Sequence, residues 1–291
     1  MISRDWPAPA KLNLFLHIVG QRADGYHELQ TVFQLLDFGD VLDFEVTRGG
    51  DVRRVTGPPD LPAEADLVVR AARLLRQRSG TDRGVDIHLH KNIPLQGGLG
   101  GGSSDAATVL VALNCLWQLE LSVDALAELG RELGADVPVF VRGRSAWAEG
   151  IGDRLAPLDL PERWFAVVRP GVSVSTAAVF QAPELTRNSP IITIADFLAA
   201  GGRNDCTPVV VRQRPEVGQA LARLARHGPA QMTGTGACVF VPCADRAQAE
   251  RALFGLPAIW RGFVARGVNH SPLAARLAAA LASAEGVSQG A

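Results

Sequence analysis

The chain has 291 residues, 47% hydrophobic and 20% charged, enough apolar material for one large domain or two medium ones. Lys and Arg number 29 against 30 Asp and Glu, so no global field favours nucleic acid or an anionic membrane, and an anionic ligand must be held locally. No apolar run approaches the ~20 residues of a membrane span, no signal-peptide core follows Met1, and Cys115, Cys206, Cys238 and Cys243 form no C-x-x-C pair; the expectation is a cytoplasmic protein without disulfides, structural zinc, nucleic-acid partner or membrane contact.

Along the chain, Lys11 to Val19 alternates Leu12, Leu14, Leu16 and Ile18 against polar or aromatic neighbours, the period of a half-buried strand. Gln21 to Gly25 is a polar turn carrying Asp24-Gly25, after which Tyr26 to Phe38 is apolar and Val41 to Val46 alternates again. Asp66 to Arg78 has helical periodicity, with Asp66 as N-cap and Gly80 past the end. Val85 to His90 reads as a strand, Asp105 to Leu119 as a buried helix, and Ser122 to Leu133 as a helix capped by Ser122 and ended by Gly134. Composition loosens over Pro157 to Pro161, which places a domain boundary there, between 1–158 and 159–291. Beyond it, Trp164 to Val168, Cys238 to Pro242 and Phe263 to Val268 read as strands, Val217 to His227 and Ala244 to Leu253 as helices. The mixture suggests an α+β layered fold.

The strongest chemical signal is Pro94-Leu95-Gln96-Gly97-Gly98-Leu99-Gly100-Gly101-Gly102-Ser103-Ser104, five glycines between a strand and a long helix. Glycines let backbone N–H groups converge on a ligand, and the helix start adds the positive end of its dipole. The run fits neither G-x-G-x-x-G nor a Walker A loop, since Ser103 stands where a third glycine belongs and no Lys follows. A flexible linker is the bland alternative, but linkers rarely abut a buried helix. Thr233-Gly234-Thr235-Gly236-Ala237 is a second glycine turn, equally compatible with a plain turn into a strand. Asp136 stands between a helix end and an apolar, strand-like run; local sequence favours capping over a role as general base. Lys11 could stabilise an alkoxide or simply face solvent. His88 and His90 share a strand face but lack a third ligand for zinc.

Pro9 to Leu14, Gly20 to His27, Gly97 to Ala106, Gly134 to Phe140 and Thr235 to Cys238 resemble, in order, the motifs of the GHMP kinase superfamily. Asp24-Gly25-Tyr26-His27 is similar to one branch of it and separates the chain from mevalonate, homoserine and galactose kinases. The resemblance implies a two-domain α+β fold, with an N-terminal ribosomal-protein-S5-like, ATP-binding domain and a C-terminal ferredoxin-like α/β sandwich completing the substrate cleft. It further implies phosphorylation by ATP, with Mg²⁺, of the 2-hydroxyl of a cytidine diphosphate derivative of methylerythritol in the non-mevalonate isoprenoid pathway, by a monomer or weak homodimer. Under it, Asp136 is the base and Lys11 its partner, Pro94 to Ser104 bind ATP, and Ser104 is the candidate contact to the metal of Mg-ATP. Tyr26 and Phe180 would stack on the cytosine, His27 would read its edge, and Asn13 would orient the erythritol. Gln96 and Gly97 occupy loop positions where the family often has small residues, and Asp66 stands where an Asn is expected near the adenine. Two other readings stay open: a GHMP kinase for another small alcohol, and a catalytically silent ligand sensor.

Overall fold

The computed structural model describes the backbone of residues 1–59 and 61–288, with side chains as far as 282; the remainder of the 159–291 segment lies outside the described residues. Two long antiparallel strands, β1 (Ile2–Gln21) and β2 (His27–Thr47), make its first hairpin. The alternation that begins at Lys11 extends back to Ile2, because Trp6, Ala8 and Ala10 continue the buried set. Pro7 and Pro9 disguise this. A proline has no N–H to donate and is tolerated in a strand paired on one side only, and among the strands β1 pairs with β2 alone. The turn closes through Gly25 N–H to the Arg22 carbonyl at 3.0 Å, with Gly25 at φ 87°.

β3 (Val52–Thr56) runs parallel to β4 (Gly84–His90), and the crossover is α1 (Leu67–Ser79). Asp66 caps α1 by accepting from Val68 N–H at 3.1 Å, and Gly80 ends it at φ 71°. α2 (Gly101–Leu116) begins four residues before the expected Asp105, because Gly100 in a left-handed conformation accepts from Ser104 N–H at 2.8 Å and closes the first turn. Part of the glycine run is therefore helix. Ser122 caps α3 (Val123–Leu133). The apolar run after Asp136 is a helix, α4 (Val137–Arg142), and not strand-like; all-round burial of Val137 to Val141 hides its periodicity, and Pro138 fits a first helical turn. β5 (Ala146–Gly150) and β6 (Arg154–Pro157) complete this half.

The second half contains β7 (Trp164–Arg169), α5 (Thr176–Gln181), α6 (Ile194–Ala200), α7 (Thr207–Gln213), α8 (Pro215–Leu224), β8 (Gln231–Met232), β9 (Val239–Cys243), α9 (Arg246–Leu253), β10 (Arg261–Val268) and α10 (Pro272–Ser288). The helices α5 to α7 are too short for sequence periodicity to reveal. The strands form one ten-stranded sheet in the order β3-β4-β2-β10-β7-β9-β8, with β1 and β5 also on β2; its β4, β2 and β5 part carries α1 to α4 on a shared core, and its β10, β7, β9 and β8 part runs antiparallel against α8 and α9. The two parts join where Gly267 and Val268 of β10 pair with Leu36 and Leu35 of β2. α10 returns to the first half: Leu273 joins its core, and Arg276 donates to the Arg4 carbonyl at 3.0 Å. Cys206 and Cys238 are buried, and desolvation pushes each thiol up to about 12, which makes them inert. Among the described residues no helix is long and apolar enough to cross a membrane.

Candidate active site

β1 carries Lys11 inward, 3% exposed, so it is not the solvent-facing lysine that an edge strand usually presents. Its Nζ donates to Asn13 Oδ1 at 2.5 Å, lies 3.2 Å from Asp136 Oδ2, and sits 5.1 Å from the Phe33 ring centroid. Asp136 occupies the N-cap position of α4, yet its carboxylate makes no capping hydrogen bond. The capping role favoured by local sequence is absent. The carboxylate is one-third exposed and faces the lysine, so residues far apart in sequence form one ion pair at the cleft. Asn13 fixes this arrangement: its Nδ2 donates to Thr31 Oγ1 at 2.9 Å, and its backbone N–H donates to Thr233 Oγ1 at 2.9 Å. With Oδ1 taken by Lys11, one amide N–H is left to donate.

The glycine run lies directly against this group, as Lys11 N–H donates to the Leu99 carbonyl at 3.0 Å. Gly98 has φ 74°, and a Cβ there would collide with the Thr233 carbonyl and come within 3.1 Å of that of Gly236. At Gly100, with φ 72°, a Cβ would lie 2.7 Å from the Phe140 ring and 3.1 Å from Lys11 Cε. Glycine is thus required both by conformation and by close approach. The second glycine turn is more than a turn, because Cys238 N–H donates to Gly97 O at 3.1 Å and Thr233 Oγ1 to Gly98 O at 3.2 Å. It clamps the loop from the other half of the chain. Ser104 Oγ, at the start of α2, is buried without a hydrogen-bond partner among the described residues.

Sequence reading missed the support beneath the loop. Lys91 Nζ bridges Asp40 Oδ2 at 2.5 Å and Asp105 Oδ2 at 2.8 Å, while Asp40 Oδ1 accepts from Asn92 and Ile93 N–H at 2.5 and 2.7 Å. One cation therefore ties the segment leading into the loop to the helix leading out. Burial works to lower the Lys91 ammonium's affinity for its proton, but the two carboxylates outweigh it and raise the pKa. Burial also raises Asp105, against the pull of Lys91. No local pattern marks these residues, since each is ordinary in its own segment. Asp66 is engaged as the α1 cap and pairs with Arg54 at 2.5 Å, which gives the acid a structural role where an Asn was expected.

A second cluster lies at the far end of the hairpin. Tyr26 is exposed, at 61%. His27 is buried, and Phe180 on α5 stacks on its ring, with centroids 5.1 Å apart and planes 25° from parallel. Phe180 thus meets His27 in this structure, and among the described residues no ring contact joins it to Tyr26. Arg187, which sequence reading also missed, donates from Nε to His27 Nε2 at 3.1 Å. Burial first, and then the Arg187 charge, lower the histidine pKa, so the ring is neutral near neutral pH. Beside the glycine loop, a cavity of about 460 Å³ runs from Gln96 and Gly98 past Thr235 to Ser173–Thr176, where α5 begins. His88 and His90 join no metal-ligating cluster among the described residues, and His90 lies 3.3 Å from Asp43.

A glycine loop at a helix start, clamped against the buried Lys11 and its partly exposed partner Asp136 between two sheet-and-helix halves, defines a GHMP kinase. Residues 66–144 match the model of the GHMP kinases N terminal domain, and residues 184–262 that of the GHMP kinases C terminal region. The chain is 57% identical over 278 residues to the 4-diphosphocytidyl-2-C-methyl-D-erythritol kinase of Halorhodospira halophila, covering 94% of this chain and 96% of the relative. It is 59% identical over 275 residues to that of Alkalilimnicola ehrlichii, covering 94% of each. A crystal structure of 4-(cytidine 5'-diphospho)-2C-methyl-D-erythritol kinase superposes with a TM-score of 0.77 at 36% identity, covering 92% of this chain and 100% of that one. The chain belongs to the 4-diphosphocytidyl-2-C-methyl-D-erythritol kinase family.

Proposed function

We propose that this kinase transfers the γ-phosphoryl group of ATP to the 2-hydroxyl of 4-diphosphocytidyl-2-C-methyl-D-erythritol, with residues 1–158 as the ATP-binding catalytic domain and 159–291 completing the substrate cleft. The observation that carries this reading is the contact of Lys11 Nζ with Asp136 Oδ2 at 3.2 Å beside the glycine loop. Asp136 takes the hydroxyl proton as the oxygen attacks. The Lys11 ammonium stabilises both the carboxylate and the developing alkoxide, and the remaining Asn13 N–H orients the polyol. Residues 94–104 hold the triphosphate through backbone N–H groups and the α2 dipole. Magnesium bound with ATP would neutralise charge on the phosphates, and Ser104 at the start of α2 is the candidate residue to hold it.

Substrate length supports the same reading. The strand from His27 to Phe33, which pairs with Asn13, covers about 20 Å. A small alcohol such as mevalonate or homoserine cannot span from the catalytic pair to His27, whereas a cytidylyl diphosphate ester can. Tyr26 then stacks on the cytosine with its exposed ring, Phe180 closes the opposite side, and His27 reads the base edge. Tyr26→Ala is expected to weaken binding of this substrate by roughly 1–3 kcal/mol, the range for base–aromatic stacking, and to leave ATP binding unchanged. Calorimetric titration with each ligand checks this; an unaltered Kd for the cytidylyl substrate removes the base from this end of the cleft.

A further inference from the structure

We propose that Arg187 determines base specificity by fixing His27 as an N–H donor at Nδ1, so that the pocket accepts cytosine and opposes uracil. The inference rests on the reading above, in which His27 meets the base edge. A guanidinium has only donors. Because Arg187 Nε donates to His27 Nε2, that nitrogen carries a lone pair, and the proton of the neutral ring resides on Nδ1. Arg187 cannot readily turn away. Its Nη2 donates to the carbonyls of Phe180 at 3.0 Å and Ala182 at 2.8 Å, and its Nη1 to that of Leu185 at 3.0 Å.

The same guanidinium thus does two things. It satisfies carbonyls at the end of α5, which fixes the backbone of Phe180 and with it the ring stacked on His27. It also chooses the tautomer. His27 Nδ1 makes no hydrogen bond to any described residue and is not among the sealed, unpartnered atoms, so it is left accessible to a ligand. Cytosine offers an acceptor at N3, and uracil offers an N–H there. A donor locked at Nδ1 pairs with the first and meets the second N–H to N–H. The O2 atom is common to both bases and cannot discriminate, and at position 4 a donor would favour the uracil carbonyl over the cytosine amine, so N3 is the atom at which a locked donor selects cytosine.

The test compares the cytidine diphosphate substrate with its uridine counterpart in wild type, Arg187→Met and Arg187→Lys. Wild type is expected to prefer the cytidine form by roughly 10- to 100-fold in kcat/KM, the effect of one unpaired polar group at a buried contact. Arg187→Met is expected to reduce that preference to within about threefold, mainly through KM, while Arg187→Lys, which retains a cationic donor for Nε2, restores most of it. If Arg187 only braces α5, both substrates lose equally and both variants behave alike; an unchanged ratio in Arg187→Met overturns the proposal. A wild type without preference for the cytidine form instead overturns the underlying assignment of the base pocket, and the proposal with it. ¹⁵N NMR of the wild-type protein gives an answer that requires no variant to fold: His27 protonated at Nδ1 supports the inference, and protonation at Nε2 contradicts it.

Discussion

Asp136→Asn is expected to bind nucleotide as wild type does while losing about 10²- to 10⁴-fold in kcat, the range associated with removing a positioned general base. The substitution is nearly isosteric. The side-chain oxygen can still accept from Lys11, and the carboxylate makes no capping hydrogen bond whose loss could unfold α4. What disappears is the capacity to take a proton. Since the loop at 94–104 proposed as the ATP site is an element separate from Asp136, the nucleotide Kd should move little. Rapid-quench turnover and calorimetric binding of an ATP analogue separate the two effects. Retained turnover removes Asp136 from the chemistry, and lost nucleotide binding would mean that the loop and the acid are not independent.

The second large effect concerns stability. Lys91→Met leaves Asp40, fully buried, and Asp105, 2% exposed, without their shared cation, and breaking a buried ion pair costs about 3–5 kcal/mol. The pH dependence follows from Asp105. Burial already raises its pKa, with Lys91 opposing, so removing the lysine raises it further. A carboxyl whose folded pKa lies above its unfolded value binds more protons in the folded state, and stability falls as pH rises through that window. The deficit of Lys91→Met should therefore be greatest at neutral and alkaline pH and shrink as the pH approaches the ordinary carboxylate range. Urea unfolding at pH 5 and pH 8 measures it. An equal deficit at both values would show that the carboxylates are not the source. ATP affinity should fall as well, because the same lysine joins the two ends of the loop.

How far the sequence carried depended on where the determining interactions are made. Asp66, Ser122 and Gly80 announce helix ends through local chemistry, and they act so in the structure. The glycine loop was legible for the same reason: its function needs a residue type that few other contexts require in such number. α4 was not legible, because a helix buried all round has no polar face to set its period. β1 was shortened because Pro7 and Pro9 read as breakers until its edge position is known. Lys11 and Asp136 could be linked only through resemblance, since their contact is made by the fold. Asp40, Lys91, Asp105 and Arg187 carried no signal, for each is an ordinary charged residue whose meaning comes from partners elsewhere in the chain.

In the proposed arrangement one cleft joins the Lys11–Asp136 pair to a cytosine-reading pocket about 20 Å of strand away. The most direct test is kcat/KM for 4-diphosphocytidyl-2-C-methyl-D-erythritol, mevalonate and homoserine with the same enzyme and ATP concentration. The cytidylyl substrate should exceed both small alcohols by at least about 10⁴-fold, because they leave the polar groups at His27 unanswered. Comparable or higher kcat/KM for mevalonate or homoserine would contradict the account.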